Sequence, residues 1–129
     1  MTPRMTPGLT PGMAVAWQSL VDDLDGDRAA VAGFAGSWAG LLPHRTGMLI
    51  EALGHADADA ARDVLLTLTC TADMLGVDRL ADAASRGLDA LEDEGVDGAR
   101  KHVEHIADEA RTAAIHVAGA LAQESWSNR

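Results

Sequence analysis

Residues 57–76 read Asp-Ala-Asp-Ala-Ala-Arg-Asp-Val-Leu-Leu-Thr-Leu-Thr-Cys-Thr-Ala-Asp-Met-Leu-Gly. At about 100° per residue, Ala61, Val64, Leu65, Leu68, Ala72 and Leu75 gather into one arc, the signature of a helix with one buried face. Asp57 is placed to cap its start and Gly76 to stop it. Leu66 falls about 150° from the centre of that arc. Around it lie Asp59, Arg62, Thr69, Cys70 and Asp73, so a leucine stands in the middle of a polar, solvent-facing strip. A single exposed leucine is ordinary in a folded protein. Its meaning here depends on what surrounds it.

Outward from this helix the same periodicity recurs. Upstream, Trp17, Leu20, Val21 and Leu24 define a first helix beginning near Met13 and broken by Asp25-Gly26-Asp27. Asp27 is placed to cap a second, with Val31, Phe34, Ala35, Trp38, Leu41 and Leu42 at helical spacing. Pro43 interrupts the pattern, which resumes with Met48, Leu49, Ala52 and Leu53; one long kinked helix ending at Gly54 and His55 is preferred to two short ones. Downstream, Asp78 is placed to cap a fourth helix carrying Leu80, Ala84, Leu88 and Leu91 and ending before Gly95. A fifth and longest helix is predicted from Val96 to Ala122, with Val103, Ile106, Ala110, Ala114, Val117 and Leu121 on one face. Residues 1–12, rich in Thr-Pro and Gly, read as a disordered leader, 13–122 as the folded domain and 123–129 as a polar tail. No stretch alternates with period two, and no internal repeat stands out. Short loops between amphipathic helices predict an all-α, antiparallel up-and-down bundle.

Composition agrees. The chain has 129 residues, room for one domain, and 47% of them are hydrophobic while only 3% are aromatic. Twenty acidic residues against ten basic ones give a formal charge of −10. Such a surface repels phosphate backbones and anionic lipid, which argues against nucleic-acid and membrane partners. Cys70 is the only cysteine, so no intrachain disulfide can form, and a reducing, cytoplasmic setting is expected. No apolar run is long enough to span a bilayer, and the leader has no apolar stretch of the kind a signal peptide requires.

The stretch from Leu66 to Gly76 resembles the phosphorylation-site helix of histidine-phosphotransfer (HPt) domains, whose pattern runs His-x-Leu-Lys-Gly-x-Ala-x-x-Leu-Gly. Thr67-Leu68, Ala72 and Leu75-Gly76 match in register, and the likeness continues upstream through residues 57–62. Leu41-Leu42-Pro43-His44-Arg45 is similar to the Leu-Pro-x-Arg segment of the family's preceding helix, and Leu80-Ala81 and Gly95-Val96-Asp97 fit downstream. The resemblance covers Trp17 to Leu121 and implies a four-helix bundle with a short additional N-terminal helix. It also implies partners, namely a response-regulator receiver domain or a histidine kinase.

The departures decide the chemistry. Where the family has its phosphoacceptor histidine this chain has Leu66, and a hydrocarbon is no nucleophile. Thr69 replaces the family's lysine, Cys70 its glycine, and Asp73 adds negative charge to the same strip. The expectation is a non-catalytic, HPt-like signalling module, not an enzyme, that docks through Arg62, Leu66, Thr69, Cys70 and Asp73 without accepting phosphate. The alternative is a structural bundle that homodimerises through the same face.

Other constellations are weaker. His102, His105 and Glu109 share a helical stripe, but no second ligand cluster completes a metal site, so neither metal nor cofactor is expected. His44 and His55 belong to the second helix and its loop, and His102, His105 and His116 are placed on the outer face of the fifth; none is followed by Lys-Gly. Cys70 has no neighbouring cation to favour its thiolate and reads as an inert thiol. Asp82, Asp89, Glu92, Asp93 and Glu94 form a solubilising face; Arg79 and Arg86 share that helix and could pair with acidic groups of a partner, but such surface pairs are weak and carry no specificity. Trp17 and Trp38 belong to the core.

Overall fold

The computed structural model describes residues 9–122. Five helices follow one another: α1 (Pro11–Asp23), α2 (Arg28–Gly54), α3 (Ala58–Met74), α4 (Asp78–Arg100) and α5 (Val103–Ala122). Among the described residues there is no strand. Residues 1–8 of the expected leader and the expected tail, 123–129, lie outside the described residues. The leader's last part is not a leader at all. Thr10 Oγ1 accepts from the Met13 N–H at 3.2 Å, and Pro11 fills the first helical position, where its missing donor costs nothing.

Asp27 and Asp57 cap as expected, accepting from the Ala30 and Ala60 N–H groups at 2.9 and 3.1 Å. Asp78 does not. It is the first residue of α4, preceded by Val77, which has no side chain able to cap. Its carboxylate instead places negative charge in the first turn, where the helix dipole favours it.

Three helices end in the same way. In α1, Gly26 N–H reaches Val21 O; in α2, Asp57 N–H reaches Ala52 O; in α3, Val77 N–H reaches Ala72 O, each at 2.8 Å. The residue before each donor adopts a positive φ: Asp25 (57°), Ala56 (56°) and Gly76 (71°). This is the Schellman closure, which satisfies carbonyls the helix leaves without partners. In α2, therefore, Gly54 stays helical and Ala56, not a glycine, makes the turn.

Between α4 and α5 the expected break at Gly95 is present, whereas the start of α5 differs from expectation. Gly95 leaves helical geometry (φ 78°, ψ −164°), so α4 consists of two helical segments joined at a kink, the second a short one that ends at Arg100. Lys101 and His102 form a turn, and α5 begins only at Val103. Arg100 sends two guanidinium hydrogen bonds, 2.6 and 3.1 Å, to the Leu53 carbonyl in the last turn of α2.

Packing follows chain order: α2 lies on α3, α3 on α4, α4 on α5, and α5 returns to α2, with α1 against α2. The interior contains Met13, Trp17, Trp38, Leu42, Leu49, Leu65, Leu68, Leu75, Leu80, Ile106 and Val117. Trp17 and Trp38 each give their N–H a partner. Trp17 Nε1 donates to Leu75 O at 3.0 Å, and Trp38 Nε1 donates to Thr71 Oγ1 at 2.8 Å. As expected, α2 continues through Pro43 as one helix. Its apolar stripe was read too broadly, however, because Phe34, Leu41 and Met48 are exposed, as is Leu24 after α1.

Candidate functional site: the exposed face of the third helix

Helix α3 divides as its periodicity dictates. Ala61, Val64, Leu65, Leu68, Ala72 and Leu75 are all buried, which turns the opposite side outward. Leu66 is 48% exposed, and Arg62, Cys70 and Asp73 are exposed with it. Thr69 is half-buried, its Oγ1 donating to the Leu65 carbonyl at 2.8 Å. The five residues expected to form one strip therefore do share a face.

Their surroundings come from α4. Thr69, Cys70 and Asp73 line a shallow depression of about 400 Å³ with Asp78, Ala81, Asp82 and Ser85. Arg62 leans the same way, its Nε 3.6 Å from Glu92 of α4 and its Nη1 3.9 Å from Asp59. Asp82 is paired with Arg86 at 3.0 Å. The field over the depression is negative, because Asp73 and Asp78 face it and Arg62 is drawn toward Glu92. Sequence reading missed this half of the site. Asp78 was assigned to a cap and Asp82 to a solubilising face; only the packing of α4 on α3 brings them beside Cys70.

The arrangement offers no phosphoryl chemistry at Leu66. His44 occupies a groove with Leu41, Arg45, Met48, Asp63, Val64 and Thr67, on the flank of α3 that meets α2. His55 sits in the turn after α2 and His102 in the turn before α5, which corrects its expected place on the fifth helix. His105 is exposed on α5, its Nε2 4.0 Å from the Glu109 carboxylate. His116 is half-buried, not outward, and lines a cleft with Thr10, Gly12, Gly76, Arg79 and Glu109. Thr71, beside the strip, is also committed: its hydroxyl donates to Thr67 O at 2.7 Å while accepting from Trp38.

The histidine stripe does not gather into a metal site. Glu109 is only 12% exposed and pairs with Arg79 at 3.5 Å, so its carboxylate is held by an arginine of α4. No group of three His, Cys, Asp or Glu side chains among the described residues is arranged to hold a metal ion. Arg79 and Arg86, on which no partner specificity was expected to rest, are both in intrachain pairs. Among the described residues no helix is long and apolar enough to cross a membrane.

Comparison of the chain with protein-family models, with curated proteins and with solved structures gives no match.

Proposed function

We propose that this chain is a non-catalytic, HPt-like signalling module that binds a response-regulator receiver domain or a histidine kinase without accepting phosphate. In this reading α2 to α5 form the up-and-down four-helix bundle and α1 is the additional N-terminal helix. The observation that carries it is the exposure of Leu66 at the position where the resemblance calls for an imidazole. A phosphoacceptor must project into solvent to reach an aspartyl phosphate. Leu66 keeps the outward projection and lacks the nucleophile.

What remains at that point is contact. A leucine ringed by Arg62, Thr69, Cys70 and Asp73 presents a small apolar centre with a polar rim, the layout of a protein docking patch. The carboxylates of Asp73 and Asp78 are unfavourable beside a carboxylate-rich receiver pocket and favour contact with basic groups around it. The same carboxylates disfavour the second reading, homodimerisation through this face, because two copies would bring like charges together.

The test is titration of receiver domains and kinase phosphotransfer domains from the host with the native chain and with Leu66→Arg. Saturable binding by the native chain that Leu66→Arg weakens at least tenfold supports the reading. Absence of binding to every receiver and kinase tried overturns it.

A further inference from the structure

The outer face of α2 carries a repeat of seven. Glycine recurs at Gly33, Gly40, Gly47 and Gly54, and a large apolar residue follows at the same interval in Phe34, Leu41 and Met48. Both rows face out. Among the described residues nothing lies within 4 Å of a Cβ built on any of the four glycines, and Phe34, Leu41 and Met48 are exposed. Between the rows run Ala30, Ser37, His44 and Glu51, exposed as well.

Among the described residues nothing accounts for these glycines. Gly33, Gly40 and Gly47 each weaken the helix interior by roughly 0.5–1 kcal/mol relative to alanine, and the described neighbours leave room for a side chain at all four positions. A glycine row makes physical sense where another backbone comes close. A repeat of seven is the period that keeps one helix face against a second helix running alongside. The complement to this face is therefore a helix.

Charge and symmetry identify which one. The chain carries −10, so two copies repel over most of their surfaces. Yet in its 27 residues α2 holds only Arg28, Arg45 and Glu51 as charged side chains. The face is also self-complementary about a two-fold axis between Gly40 and Leu41 with the two helices antiparallel. Gly40 then faces Gly40 of the second copy, and Gly33 faces Gly47. On the other flank Leu41 meets Leu41, and Phe34 meets Met48, a favourable thioether–aromatic pairing. Ser37 lies opposite His44. Glu51 lies opposite Ala30, in the first turn of the second α2, where the positive end of the helix attracts a carboxylate.

We infer that the outer face of α2 is the interface of an antiparallel homodimer, close-packed along its glycine row and sealed by Phe34, Leu41 and Met48. The surface lies on a different helix from the Leu66 strip and does not rest on the docking reading. It is about 40 Å long, at 1.5 Å per residue, and one helix wide. That footprint belongs with the smaller specific interfaces, so the dimer is reversible and its formation depends on concentration.

Sedimentation equilibrium of the full chain through the micromolar range tests this. The native mass is expected to rise from 13.4 kDa toward twice that value. Gly40→Glu is expected to remain monomeric throughout with its helical circular dichroism unchanged, since the position is open and glutamate favours helix over glycine. In a Cys70→Ser background, Gly40→Cys should cross-link to itself on oxidation, whereas Gly33→Cys should do so only when mixed with Gly47→Cys. The inference is overturned if the native chain stays at 13.4 kDa, or if Gly40→Glu still dimerises. It is equally overturned if Gly33→Cys cross-links to itself as readily as Gly40→Cys, or if a dimer dissociates on Leu66→Arg and not on Gly40→Glu.

Discussion

The indole N–H of Trp17 donates to the backbone carbonyl of Leu75 across 3.0 Å, and both residues are completely buried. Leu75 is the C-cap of α3, so its carbonyl lies where the helix offers no partner of its own. The bond ties α1 to the end of the helix that carries Leu66. One residue on, the contact tightens further: a Cβ on Gly76 would collide with the Gly12 carbonyl oxygen. The N-terminal helix thus acts as a clamp on the turn that ends α3.

Replacing Trp17 with phenylalanine keeps most of the apolar ring and removes the donor. The Leu75 carbonyl is then left buried without its partner, at a cost of about 1–3 kcal/mol. Urea unfolding is expected to show a lower midpoint with an unchanged slope. A variant as stable as the native chain would mean that the bond contributes nothing net.

Gly76 and Ala56 occupy equivalent turns and should respond in opposite directions. Gly76→Ala meets both a left-handed backbone and the Gly12 carbonyl, and should destabilise by about 2 kcal/mol or more. Ala56→Gly relieves the same backbone strain, offset in part by glycine's greater freedom when unfolded, and should stabilise by up to about 1 kcal/mol. Thermal unfolding of the pair checks both signs at once.

If Leu66 occupies the phosphoacceptor position, the missing chemistry can be restored. The native chain is expected to take no phosphate from a phosphorylated receiver. The combined substitutions Leu66→His, Thr69→Lys and Cys70→Gly return imidazole, cation and close backbone approach to the strip, and should yield an acid-labile phosphohistidine. Failure of a folded triple variant to be phosphorylated by any receiver would show that the register is wrong.

Legibility in the sequence followed contrast. In α3 polar and apolar residues separate sharply, so all six residues assigned to the interior are buried and Leu66 is outside. In α2 charge is scarce, and Phe34, Leu41 and Met48 looked as apolar as the true interior positions Val31, Trp38 and Leu42. The same blandness concealed the glycine repeat, because a search for apolar residues at helical spacing passes over residues without side chains. The start of α5 was out of reach for another reason. No glycine or proline marks Lys101-His102, where the two N–H groups bond only three residues back, to the Gly98 and Ala99 carbonyls. The α3 half of the candidate site could be read locally, whereas Asp78, Asp82 and Ser85 join it only through helix packing.

The most direct measurement is an amide chemical-shift map of the labelled chain titrated with a receiver domain that binds it. Shifts and broadening are expected to cluster on Arg62, Leu66, Thr69, Cys70 and Asp73, with smaller changes at Asp78 and Asp82. Perturbations confined to α2 or α5, with Leu66 and its neighbours unmoved, would contradict docking through this face.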